Sequence, residues 1–78
     1  MQIRYFAGAA EAAGCESHTV EVSGLDVAAL VAQLGEGNER LAKVLSVSTL
    51  LADGARVEGS HDLSGVQQLD VLPPFAGG

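Results

Sequence analysis

The sequence predicts an α+β fold, a mixed sheet of about five strands covered on one face by one main helix. Three observations carry this. Short β-favouring runs occur at both ends of the chain and again in its second half. One stretch, from Asp26 to Leu34, has unbroken helical periodicity. Finally, 78 residues that are 47% hydrophobic, with mean hydropathy +0.27, are too apolar for a disordered chain but enough for only one small core. A domain of this size buries about 60% of the surface its unfolded chain exposes.

Taken in order, Gln2 to Ala7 is the first strand, because Ile3, Tyr5 and Phe6 favour extended backbone and Gly8 closes the run. The Ala-rich segment Gly8 to Gly14, bounded by glycines, predicts one helical turn. Glu16 to Val22 alternates and reads as a second strand returning antiparallel to the first. In the main helix Val27, Leu30, Val31 and Leu34 form an apolar stripe at i, i+3, i+4 and i+7. Asp26 caps its first turn, and Gly35 stands where a left-handed C-terminal cap belongs. A shorter helix from about Asn38 turns Leu41, Val44 and Leu45 inward. Val47 to Ala52 is a strand, Asp53-Gly54 a hairpin turn, and Arg56 to Glu58 a short return strand. Ser60 to Gln67 is turn material, and Gln68 to Leu72 is the last strand.

The order β-β-α-(α)-β-β-β lets the first and last strands lie parallel, the helix serving as the crossover. That is the β-grasp, or ubiquitin-like, arrangement. The expected division is a domain over residues 1–72 and an extended tail over residues 73–78.

Composition narrows the function. A formal charge of −6 repels phosphate backbones, so nucleic acid is not an expected partner, and a basic or mixed protein surface matches better. A single cysteine, Cys15, rules out an internal disulfide framework and suits a reducing compartment. No apolar run approaches the roughly 20 residues of a membrane span, and the MQIRYFAG start lacks the pattern of a signal peptide. A cytoplasmic protein without membrane contact is expected. Cys15 has Glu16 beside it, which opposes thiolate formation, and a lone Cys15-x-x-His18 falls short of a zinc site. Structural or incidental roles are assigned to Cys15, His18 and His61, and no metal is expected. No Gly-rich phosphate loop precedes a helix, so the chain is not expected to bind ATP itself.

The ending LDVLPPFAGG, Leu69 to Gly78, is the feature with chemistry in it. A carboxylate is a poor electrophile until adenylation converts one of its oxygens into a leaving group, after which sulfur can attack the acyl carbon. Such a terminus must enter another protein's active site. Gly77 and Gly78 have no side chain to clash in a narrow channel. Pro73 and Pro74 stiffen the exit and stop the strand from continuing. Extended, residues 73–78 reach roughly 20 Å, with Phe75 and Ala76 on the way. The plainer alternative is a frayed terminus that happens to end in glycine.

Strand parity places candidate docking residues beside that exit. If Ile3 and Tyr5 face the helix, Arg4 and Phe6 face out; if Leu69 and Val71 face in, Asp70 and Leu72 face out. Phe6 and Leu72, with Phe75 beyond them, would then form an uncovered apolar patch, and Arg4 could pair with Asp70. The alternative is that the Ala-rich turn covers Phe6.

The stretches YFAGAAEAAG, Tyr5 to Gly14, and LPPFAGG, Leu72 to Gly78, resemble the small, sulfur-carrying subunit of molybdopterin synthase. That subunit belongs to the MoaD/ThiS-like ubiquitin-like sulfur carriers, as does the carrier of the thiamine pathway. The resemblance implies that an E1-like adenylyltransferase activates Gly78 as a transient acyl-adenylate. A sulfur donor such as a cysteine desulfurase or rhodanese then converts it to a thiocarboxylate. The tail enters the large synthase subunit, in an expected heterotetramer, and passes sulfur to cyclic pyranopterin monophosphate for the molybdenum cofactor. The chain would not be an enzyme by itself, since the catalytic residues are expected on the large subunit. Two departures from the family pattern stand out. Ala10 replaces a basic residue before Glu11, and Ser64-Gly65-Val66-Gln67-Gln68 replaces an acidic-glycine turn. Alternatives are a carrier for thiamine or cysteine synthesis, a ubiquitin-like protein modifier, and a binding-only domain whose tail is dispensable.

Overall fold

A computed structural model describes residues 1–74. Phe75, Ala76, Gly77 and Gly78 lie outside the described residues. Among these 74, eight elements run β1 (Gln2–Tyr5), α1 (Gly8–Ala13), β2 (Ser17–Thr19), α2 (Val27–Gly35), α3 (Glu39–Val47), β3 (Thr49–Ala52), β4 (Ala55–Val57) and β5 (Gln68–Leu72). The strands form one mixed sheet in the order β2-β1-β5-β3-β4. β1 and β5 pair in parallel and every other pairing is antiparallel. This is the β-grasp arrangement.

Alternation explains the inner face. Ile3, Tyr5, Leu50, Ala52, Val57, Leu69 and Val71 are buried and meet Val27, Leu30, Leu41 and Leu45 from the helices. Asp26 caps α2, its Oδ1 accepting from the Ala29 amide at 2.8 Å. Two more α2 amides, on Val27 and Ala28, donate to the carbonyls of His61 and Gly59. The loop between β4 and β5 therefore finishes the helix start. It also drops Leu63 fully into the core, a residue the turn-rich sequence around it hides.

Several boundaries differ from expectation, each for a local reason. β1 ends at Tyr5, because Ala7 turns the chain with φ 50° and ψ −129° and the Ala9 amide closes the turn on the Phe6 carbonyl at 3.0 Å. β2 is only Ser17–Thr19, since beyond Thr19 the chain has passed the end of β1, its only neighbour in the sheet. β4 is Ala55–Val57, one residue earlier than expected. Val47 belongs to α3, where it is 62% exposed, and β3 starts at Thr49. α3 is nine residues long, as is α2, rather than a shorter appendage.

Gly35 is not a left-handed cap. It is the last residue of α2, and a Cβ there would stand 2.8 Å from the Cβ and 3.2 Å from the Cα of Ala42 on α3. Close helix packing, not backbone handedness, calls for glycine. The Asp53-Gly54 turn does have positive φ at both residues, 48° and 86°, as a tight hairpin requires. The Asp53 carboxylate accepts from the Gln67 and Gln68 amides and so ties the hairpin to the start of β5.

Candidate functional site: the uncovered sheet face and the tail exit

The sheet's second face carries no helix. Register sets its rows: Arg4 lies opposite Ser17 on β2 and Asp70 on β5, and Leu51 opposite Asp70 and Arg56. Leu51 is half-buried. One step along, the Tyr5–Val71 register is prolonged by the Phe6 amide donating to the Val71 carbonyl at 3.2 Å, which sets Phe6 beside Leu72. Leu72 in turn faces Thr49. Phe6 is 37% exposed and Leu72 half-buried. The Ala-rich helix α1 packs on β1 and α3 and leaves Phe6 partly exposed.

The strand β5 ends at Leu72, with Pro73 half-buried and Pro74 exposed after it. The tail therefore leaves from the middle of the sheet, next to Phe6. The activated-carboxylate chemistry assigned to Gly78, and the threading roles of Phe75, Ala76 and Gly77, fall outside the described residues.

Electrostatics on this face are dominated by one pair. Arg4 Nε donates to Asp70 Oδ1 at 3.0 Å and Arg4 Nη2 to Oδ2 at 3.2 Å, a two-point contact between guanidinium and carboxylate. The hydrogen bond to Asp70 and its charge raise the Arg4 pKa further. The Arg4 guanidinium carbon lies 5.4 Å from the Phe6 ring centroid, within cation–π range. Gln68 closes the group in either amide orientation: its Nε2 donates to Asp70 at 3.3 Å, or, turned over, its oxygen accepts from Arg4 Nη2 at 3.1 Å. The remaining ion pairs among the described residues, Arg40–Glu11 at 3.4 Å and Arg56–Glu58 at 3.6 Å, are solvent-exposed and of the kind that contributes little.

The other conspicuous residues are spread apart. Cys15 is exposed. Among the described residues, no three His, Cys, Asp or Glu side chains come together as metal ligands would. No described helix is long and apolar enough to cross a membrane. Two shallow surface hollows are lined by residues such as Asp26, Asp62 and Ser64, or Arg56, Glu58 and His61, and neither involves Phe6, Leu72 or Pro73.

Sequence reasoning missed a contact at the sheet edge. His18 Nε2 and the Tyr5 hydroxyl are hydrogen-bonded at 2.9 Å, with tilted rings 5.4 Å apart. His18 sits opposite Ile3, so it shares the inner side of the sheet edge with Tyr5. The alternation of the two strands contained that signal, but only once their register was known. Burial first, and the electrostatic influence of Cys15 second, push the Tyr5 hydroxyl up to about 12.

Comparison with known proteins agrees with this geometry. A solved structure described as SAMP1 from Haloferax volcanii superposes with a TM-score of 0.80 at 24% identity, covering 100% of this chain and 98% of that one. At that identity the likeness shows a shared fold. No curated protein sequence matches. The ThiS family model matches residues 3–78, nearly the whole chain, and the protein therefore belongs to the ThiS family of ubiquitin-like sulfur carriers.

Proposed function

We propose that this carrier is the sulfur-delivering small subunit of molybdopterin synthase, loaded at the Gly78 carboxylate and docking through Phe6, Leu72 and Phe75. The observation that carries the reading is the position of β5: it is the central strand, and it ends beside an exposed aromatic residue on a sheet face that no helix covers. Large apolar groups in such a position form the anchors of protein interfaces. The molybdopterin branch is favoured over the thiamine and cysteine branches by the YFAG…EAAG start and the paired Pro73-Pro74 before the diglycine.

The chemistry runs in two stages. An oxygen of the Gly78 carboxylate attacks the α-phosphate of ATP in an E1-like enzyme, and pyrophosphate leaves. The terminal sulfur of a persulfide donor then attacks the acyl carbon, AMP leaves, and a thiol opens the resulting acyl disulfide to the thiocarboxylate. The carrier contributes a docking face and a slender electrophile and holds no cofactor of its own. The partners follow: the activating enzyme, the sulfur donor and the large synthase subunit.

Incubation with ATP, the E1-like enzyme of the same organism and a persulfide donor tests the reading, with intact-mass spectrometry as readout. The expected product is a free chain heavier by one oxygen-to-sulfur exchange, which then converts cyclic pyranopterin monophosphate in the presence of the large subunit. Deleting Gly78 is expected to abolish loading without changing the melt. Isopeptides from Gly78 to lysine amines in place of the thiocarboxylate establish the modifier reading instead. Loading followed by delivery only to thiazole or cysteine synthesis moves the chain to a sibling branch.

A further inference from the structure

We propose that Arg4 and Asp70 are positioning residues that hold the Phe6 ring ready for docking. The inference rests on the docking reading above and adds to it the device that orders the anchor. Phe6 lies two residues beyond Arg4 on the same face, with 37% of its surface in solvent. An exposed aromatic side chain ordinarily changes rotamer on the picosecond-to-nanosecond scale. Immobilising it on association costs about two- to tenfold in affinity.

In this chain that freedom is already restricted. The Asp70 carboxylate sits on the central strand with only 13% of its side chain exposed. Parallel register sets Arg4 directly opposite it, so the fork of the guanidinium meets both carboxylate oxygens, at 3.0 and 3.2 Å. Gln68, on the same face of β5, adds a third contact. Held at one end by Asp70, the guanidinium lies 5.4 Å from the Phe6 ring centroid. A chain of contacts thus runs from the central strand of the sheet to the exposed Phe6. Arginine is specifically suited to this, because its planar fork can grip a carboxylate while one surface remains for a ring; lysine, a point charge on a flexible stem, cannot do both. The pair also cancels its own charge, so the anchor stands beside a neutral group rather than one that would have to be desolvated alone.

The experiment uses the full chain with Arg4→Lys, Asp70→Asn and the double variant. One readout needs no partner, the side-chain NMR order of an assigned, carbon-labelled Phe6. The other is ATP-dependent adenylation by the E1-like enzyme of the same organism. Each single variant is expected to lower Phe6 order and raise KM about two- to fivefold, the size of an exposed cation–π contact, with kcat unchanged. The double variant is expected to be no worse than either single, as for residues acting as one unit. Arg4→Lys keeps the charge and loses the fork, so wild-type behaviour from it overturns the proposal, as do additive effects. Should Asp70→Asn lose its cooperative melt, Arg4→Lys carries the test alone. Phe6→Ala separates the two layers. If it leaves KM unchanged, the docking face itself is wrong; if it raises KM about thirtyfold while the clamp variants stay silent, only the clamp falls.

Discussion

Ala7 occupies a backbone conformation that glycine tolerates and alanine does not. At φ 50° and ψ −129° its Cβ crowds the chain, in a turn whose first central position normally demands glycine. Such a conformation costs on the order of 1–3 kcal/mol, and here it aims Phe6 out of the sheet before α1 begins. Ala7→Gly is expected to raise stability by about 1 kcal/mol after the entropy that glycine returns to the unfolded chain, read as a higher denaturant midpoint. An unchanged or lower midpoint would show that the turn is unstrained. Tyr5 supplies a second test at this scale. Its folded pKa of about 12 exceeds the ordinary value of 10.0, so between pH 10 and 12 the native chain keeps a proton that the unfolded chain has released. Stability attributable to Tyr5 is therefore complete below pH 10 and declines as pH rises through that window, at most about 1.4 kcal/mol per pH unit. Tyr5→Phe is expected to flatten this decline in denaturation profiles and to cost about 1 kcal/mol at neutral pH for the lost bond to His18. An equally steep decline in the variant assigns the effect to other groups.

At the scale of elements, the sequence showed most where a period or a turn chemistry was complete. The stripe Val27, Leu30, Val31, Leu34 and the cap Asp26 place α2 correctly, and Asp53-Gly54 places the hairpin, because both signals are local. It misled where the deciding neighbour is distant. Gly35 looks like a helix stop, yet its role is set by Ala42, and Leu63 looks like loop while the core receives it whole. Asn38, read from the sequence only as the start of a helix, has two roles in the structure. It caps α3 through the Leu41 amide, and its Nδ2 also donates to the Ala12 carbonyl at 2.9 Å, joining α1 to α3. The candidate site was legible by parity in its described part, since alternation on two strands is enough to bring Phe6, Leu72, Arg4 and Asp70 to one face. The contact of Arg4 with Phe6 was not, because it depends on rotamers. Gly35→Ala separates the two readings of that glycine. Helix propensity alone would reward the change by about 1 kcal/mol, whereas crowding against the backbone of Ala42 is expected to lower stability by about 1–2 kcal/mol. A melt above wild type would remove the packing account.

For the whole molecule, the decisive feature is that the first strand pairs with the last. Arg4 and Asp70 are 66 residues apart in sequence and adjacent in the sheet. Without residues 68–72, β1 is left with β2 and β3 with β4, two separate hairpins of the kind that are marginal in water. A chain ending at Gln67 is expected to show no cooperative melt by circular dichroism, and a cooperative melt would mean that the helices and hairpins hold a core unaided. The consequence reaches the ribosome. While synthesis is under way the sheet has no centre, so the face that carries Phe6 and Leu72 cannot exist before β5 has been made. A copy that stops before residue 68 is expected to stay unfolded and open to proteolysis. Folding itself therefore inspects the product as far as its last strand.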